Sequence, residues 1–169
     1  MSVALTGTPG TGKSTAADLL AERDGLEVVH LNEAIRERGL WSERDAERDS
    51  LVADLEAIRE WLGDWSGIVE SHLAHYLEAD RVIVLRCRPD ELGRRLRERG
   101  ESDAKVRENA ESEALDVILA EAVDRHGEER VYEIDTTDRS PEAVADEIRA
   151  VLADQREPSA GTVDFVEYL

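Results

Sequence analysis

The run VALTGTPGTGKST (residues 3–15) sets three glycines, a lysine and a Ser–Thr pair behind a short apolar segment. Gly7, Gly12, Lys13 and Ser14 match all four fixed positions of G-x-x-x-x-G-K-[ST], the phosphate-binding loop. Glycines let successive backbone N–H groups converge on one concavity, and a helix start behind it adds more of them. Lys13 supplies a mobile positive charge for β- and γ-phosphates. The Ser14 hydroxyl is the kind of oxygen ligand Mg²⁺ prefers. Such a loop needs a strand before it and a helix after it. VALT predicts the strand. KSTAADLLAER predicts the helix, with Ala16, Leu19, Leu20 and Arg23 at helical spacing. A nucleoside triphosphate is the expected ligand, with Mg²⁺ as cofactor.

Outward from this loop, strands and helices alternate. LEVVHL (26–31) predicts a second strand and 32–38 a helix, followed by GLWSERD as a connector. Residues 44–63 predict one long helix, with Leu51, Leu55, Ile58 and Leu62 on a stripe. GIVE (67–70) predicts a third strand. RVIVLRC (81–87), the most apolar run, predicts a central strand buried on both faces. Pro89 opens a helix over 90–99, and 103–125 predicts another. RVYEID (130–135) is the last predicted strand. Ser140 and Pro141 start the final helix. Phe165, Val166, Tyr168 and Leu169 predict that the tail, 154–169, packs back on the domain. The pattern predicts one α/β domain: a parallel sheet of about five strands in a three-layer sandwich.

Ligands of such sheets bind at the carboxyl ends of the strands. The candidate segments are therefore the loop itself, Asn32 to Ile35, Glu70 to His72, Arg88 to Arg99, and Asp135 to Asp138. Glu70 can hold Mg²⁺ with Ser14, or orient a nucleophile. His72 lies two residues on. Arg95 and Arg99 share a helix face and can meet the charge that develops in phosphoryl transfer. Residues RGESDAK predict a short lid carrying Arg99, Lys105 and Arg107, against the plainer reading of a solvated charge run.

Composition bounds the function. The 169 residues suit one domain, and no apolar run reaches the length of a membrane span. No signal peptide is expected, and the single cysteine, Cys87, reads as a small core residue. These features predict a cytoplasmic protein. Forty acidic residues against 21 basic ones give a net charge of −19, spread along the whole chain. Such a charge predicts work in high salt, where screening removes most self-repulsion. The one concentrated basic run is RRLRER, Arg94 to Arg99, with Arg107 beyond it, so free RNA or DNA is not the expected primary ligand and no sequence-specific nucleic-acid binding is expected. Only two basic residues are lysines, Lys13 and Lys105. A GTPase would need an N/T-K-x-D motif, which is absent, and an AAA-type ATPase a longer chain. A short chain with an arginine-bearing helix after the fourth strand suits a nucleotide or small-molecule kinase.

LTGTPGTGKST, ESHLAHYL, VIVLRCRPDELGRRLRERG, KVRENAESEAL and EIDTTDRSPEAV together resemble the small adenylate kinases of archaea and eukaryotes, the CINAP type. With its charge, the chain looks like a halophilic archaeal member. The resemblance spans about residues 1–153. It implies an adenylate-kinase-like P-loop NTPase fold, with a short NMP-binding region near 30–50 and a short lid near 98–108. It implies phosphoryl transfer from ATP to AMP or a related NMP, together with ATP hydrolysis. A part in small-subunit ribosome (16S rRNA) maturation is implied too, on the pre-30S particle and bound to a ribosomal protein of the uS11 type. An ATPase assembly factor with little kinase turnover is the alternative. By motif match, Gly10, Gly12, Lys13, Ser14 and Thr15 would hold the ATP phosphates. Arg99 would be the lid arginine contacting ATP and Arg95 would stack on the base; Lys105 is expected at the nucleotide from the lid reading above. Glu70 and His72 fall on the family's acid-x-His element. Asn32 and Glu101 depart from the family, which commonly has an Asp and an aromatic there.

Overall fold

The computed structural model describes residues 1–47 and 50–169. Five parallel strands form the central sheet: β1 (Ser2–Gly7), β2 (Val28–His30), β5 (Gly67–Glu70), β6 (Arg81–Arg86) and β7 (Val131–Asp135). Their order is β2-β5-β1-β6-β7. The strand before the phosphate loop is thus central, and the order reverses beside it, which opens a crevice at the carboxyl ends.

The period-two alternation of a strand sorts side chains onto two faces. Val3, Leu5, Ile83, Leu85 and Ile134 face α1 (Lys13–Asp24) and α7 (Pro141–Leu152), meeting Ala16, Leu20, Val144 and Ile148. Ala4, Val69, Val82, Val84 and Val131 face the other way. They meet α2 (Leu31–Arg38), α3 (Leu55–Leu62) and α6 (Val117–His126) through Leu31, Ile35, Ile58, Leu119 and Ala122. Three layers result, as the run of strands and helices predicts. A small third cluster joins Cys87, Leu92, Leu96 and Val106 between α4 (Pro89–Glu98) and α5 (Asp103–Ala114). Among the described residues no helix is long and apolar enough to cross a membrane.

Four sequence expectations need correction. The long helix over 44–63 is instead an antiparallel pair, β3 (Trp41–Asp45) and β4 (Ser50–Ala53), followed by the short helix α3. Residues 48 and 49 of that stretch lie outside the described residues. Asp54 breaks the apparent stripe: its backbone is extended and its side chain accepts from Ala57 N, so the helix starts there. Leu51 therefore belongs to a strand. The helix over 103–125 is two helices, because Asp116 takes a left-handed conformation (φ 56°). The second strand is only Val28–His30, with Leu31 already helical. Of the tail's apolar residues only Phe165 is buried; Val166, Tyr168 and Leu169 stay exposed.

Candidate active site

The phosphate loop runs from the end of β1 into α1. Gly10 and Gly12 both take φ 95°, a region side chains rarely adopt. A Cβ on Gly10 would also come within 2.9 Å of Leu92, so the loop packs tightly on α4. Lys13 opens α1 and curls back: its Nζ donates to Gly7 O (2.9 Å) and Thr8 O (3.1 Å). Burial pulls its pKa down to about 8; Glu70 and Glu113 push it up, and the Arg99 charge pulls it further down. The ammonium is thus held at a cost that an anion would relieve.

Ser14 Oγ donates to Glu70 Oε1 (3.1 Å), which ties the loop to the end of β5. The same carboxylate oxygen meets His30 Nδ1 (2.9 Å), and His30 Nε2 meets Asp18 Oδ1 (2.8 Å). Burial lowers the His30 pKa, but Glu70 and Asp18 outweigh it and the net shift is upward. A hydroxyl and a carboxylate side by side form a hard-oxygen donor set of the kind Mg²⁺ takes beside phosphates. His30 fixes the carboxylate's orientation from behind. The sequence reading missed His30, although it ends a strand on the carboxyl side, where the general rule points.

His72 lies two residues past Glu70. Its Nδ1 is 3.4 Å from Asn32 Nδ2. Burial lowers its pKa to about 4, aided by the charges of Lys13 and His75, so the ring is neutral at pH 7. Behind it His75, fully buried, meets Thr6 Oγ1 (2.7 Å) and Glu121 Oε2 (2.9 Å), and Tyr76 OH donates to the same carboxylate.

On the other side of β1, Arg95 spans from α4 to the loop after β7. Its guanidinium donates to Glu91 Oε2 (2.7 Å), Thr136 O (3.0 Å) and Gly10 O (3.4 Å). Arg99 caps α4 at its exposed end. Residues 98–108 are the α4–α5 turn and the first half of α5. Lys105 stands there 3.9 Å from Glu101.

One cavity of about 1140 Å³ runs past the loop, Glu70, His72 and the α4 arginines. Thr8 to Thr15 form its floor. Glu70, His72, Leu73 and Tyr76 line the β5 side; Arg95, Arg99, Thr136 and Arg139 line the β6–β7 side, with Lys105 above. The structure thus brings Gly10, Gly12, Lys13, Ser14, Thr15, Glu70, His72, Arg95, Arg99 and Lys105 to one cavity, and all five strand-end segments contribute to it; Arg107, expected on the lid, does not line it. Cys87 is fully buried, and burial pushes its thiol up to about 12, as befits an inert core residue.

A family model described as an AAA domain matches residues 3–116. A protein of Natronomonas pharaonis named "Putative adenylate kinase" is 61% identical over the full length of both chains. The chain belongs to this family. A Halobacterium salinarum relative of the same name is 54% identical over the full length of both chains. A Methanothermobacter thermautotrophicus relative, also so named, is 48% identical over 99% of this chain and 98% of its own. Among solved structures, shikimate kinase from Bacteroides thetaiotaomicron has a TM-score of 0.59 at 18% identity, covering 90% of this chain and 98% of its own. A gluconokinase from Sinorhizobium meliloti has 0.56 at 20%, covering 91% and 92%. At such identities these two establish the fold alone, a three-layer α/β sandwich on a parallel sheet. The short chain argued against an AAA-type ATPase, yet the family model carries that name. Length by itself does not separate these classes.

Proposed function

We propose that this protein is a nucleoside monophosphate kinase of the adenylate kinase type, moving the γ-phosphoryl group of ATP to AMP or a related NMP. The observation that carries this is one continuous cavity with the phosphate loop on its floor and a wall on each side of β1. Its volume exceeds that of an ordinary one-ligand pocket, as two nucleotides facing each other require. The family's members named as adenylate kinases support the same reading.

ATP places its triphosphate on the loop N–H groups from Gly10 to Thr15, with Lys13 on the β- and γ-oxygens. Its base lies on the β6–β7 side, against Arg95 and the backbone of Thr136. The acceptor enters on the β5 side, in an NMP-binding region near 30–50. A phosphate oxygen of the acceptor attacks the γ-phosphorus, and the bond from that phosphorus to the β-bridging oxygen breaks. ATP and AMP become two ADP. Lys13 and Arg99 meet the charge on the equatorial oxygens, and the lid segment 98–108, with Lys105, excludes water. Ser14 and Glu70 would hold Mg²⁺, which would supply charge neutralisation to the triphosphate. The site needs mainly positioning and electrostatics, which suits phosphoryl transfer.

ATP hydrolysis is a second activity of the same site, favoured by one observation. His72 is neutral and partly buried near Lys13, and Asn32 Nδ2 donates to its Nδ1, which leaves Nε2–H as a donor that can orient the water that attacks ATP. An assembly ATPase acting in small-subunit ribosome maturation, with a ribosomal protein as partner, uses that activity. The −19 charge complements a basic partner and equally fits a high-salt cytoplasm. The test is product analysis with ATP alone and with ATP plus each NMP. Two ADP per AMP consumed establishes the kinase. Free phosphate without AMP, and no AMP-dependent ADP, replaces it with the ATPase.

A further inference from the structure

Behind the phosphate loop lies a chain of buried charged groups that the reaction above does not use. Arg86, at the end of β6, is 1% exposed and faces three carboxylates. It donates to Glu113 (3.3 Å), Glu133 Oε2 (2.8 Å) and Asp116 Oδ1 (2.5 Å). One guanidinium among three carboxylates is a costly thing to bury unless every remaining lone pair is satisfied.

Here they are satisfied by two distant segments. On the inner side Glu113 accepts from Cys87 N (2.7 Å) and from Thr8 Oγ1 (3.1 Å), a residue of the phosphate loop. On the outer side Glu133 accepts from the backbone N–H groups of Gly161 and Thr162 in the C-terminal tail. The Phe165 ring closes the cluster 5.4 Å from the Arg86 guanidinium. Thr8, Glu113, Glu133 and Phe165 are all buried. Thr8 matters for another reason. Its carbonyl accepts from Lys13 Nζ, and from Thr11 N and Oγ1. Whatever fixes Thr8 also fixes the ammonium that meets the phosphates.

We propose that Glu113 is a positioning residue of the phosphate loop, held from behind by the C-terminal tail through Glu133 and Arg86. It acts through Thr8 and not on the nucleotide itself. The tail is then part of the nucleotide site's support, although its sequence carries no nucleotide motif. This inference rests on the reading that the loop binds ATP.

The test is ATP affinity by calorimetry, with thermal unfolding of each variant recorded beside it. Thr8→Val keeps the shape of the side chain and removes the hydroxyl, leaving a buried carboxylate lone pair unpaired. It should weaken ATP binding about tenfold, and Thr8→Ser should restore it to within about twofold. Phe165→Ala, on the far side of the chain, should weaken ATP about threefold. In the double variant Thr8→Val/Phe165→Ala the loss should stay near tenfold, since both substitutions loosen one unit. If Phe165→Ala does not fold, Glu133→Gln takes its place. ATP affinity unchanged in Thr8→Val, or unchanged in the tail variant, would overturn the proposal. So would losses that multiply to about thirtyfold, which would mean the loop and tail act independently. A wild-type protein that does not bind ATP would instead overturn the nucleotide reading itself.

Discussion

Lys13→Met should make the nucleotide-free protein more stable while destroying its activity. In the free protein the ammonium is 7% exposed and its pKa stands at about 8 instead of 10.5. A depressed lysine pKa means that folding disfavours the charged form. The cost is fully present below pH 8 and disappears above 10.5. Two and a half pKa units correspond to about 3 kcal/mol. Against this stand two hydrogen bonds from Nζ, worth about 1 kcal/mol each, to Gly7 O and Thr8 O. Thr8 O keeps Thr11 as a donor, so its loss is the smaller. The net expectation is a gain of about 1–2 kcal/mol, or a rise in Tm of about 2–8 °C for a chain of this size. Activity should fall on the order of 10²–10³-fold. A unit charge about 4 Å from a phosphate oxygen contributes roughly 4 kcal/mol at a surface-like dielectric. The assay is thermal unfolding in molar KCl with a chelator and no nucleotide, from pH 7 to 10.5, beside kinase turnover at pH 7. The stability gap between variant and wild type should close as pH rises from 8 to 10.5. A variant less stable than wild type by more than 1 kcal/mol would refute the strained-ammonium argument. A rate within about twofold of wild type would refute the loop as the site.

Other consequences are as direct. Arg99→Ala should lower kcat more than it weakens ATP binding, because its contact grows as charge develops; a raised KM with unchanged kcat would confine Arg99 to ground-state binding. Glu70→Gln should damage both transfer and hydrolysis and raise the Mg²⁺ concentration for half-maximal rate; an unchanged requirement would remove Glu70 from the metal site. His72→Ala should cut ATP hydrolysis more than AMP phosphorylation, and an equal fall in both rates would assign His72 to a shared or structural step. Cys87, fully buried and with its thiol pushed up to about 12, should resist alkylation at pH 8 until the protein unfolds. Its labelling rate should therefore fall steeply as KCl rises towards molar, and a salt-independent rate would contradict the high-salt reading.

The sheet and the nucleotide loop were legible because strong local signals agree there. Strands β1, β5, β6 and β7 are short apolar runs between turn residues, and the loop carries four fixed positions in the right context. The hairpin of β3 and β4 was not legible. Leu51, Leu55, Ile58 and Leu62 fall at helical spacing by coincidence, and only the capping geometry of Asp54 separates strand from helix. The break at Asp116 was equally silent. An aspartate in a left-handed conformation carries no local mark; here it is matched by the distant Arg86 beneath it. Glu113, Glu133 and His30 share that difficulty. In a chain with 40 acidic residues, a buried carboxylate that matters looks like any solvated one until its partners are placed.

Along the whole chain 40 acidic residues outnumber 21 basic ones, yet the cavity lining holds Lys13, Arg94, Arg95, Arg99, Lys105 and Arg139 against seven carboxylates. The lining is therefore nearly balanced in a molecule that is not. At low ionic strength the surrounding field would repel a triphosphate approaching that lining. At about 1 M salt the Debye length shrinks to roughly 3 Å, and the repulsion from the outer surface is screened. The proposed short contacts would remain: backbone N–H groups of the loop, Lys13 at its helix start, and Arg95 and Arg99 beyond. A protein built this way should bind ATP with little loss, or even a gain, as KCl rises from 0.1 to 2 M. Electrostatically steered binding would instead weaken steadily with salt. ATP affinity measured across that range distinguishes the two. A monotonic fall would mean that long-range attraction, and not the near contacts, holds the nucleotide.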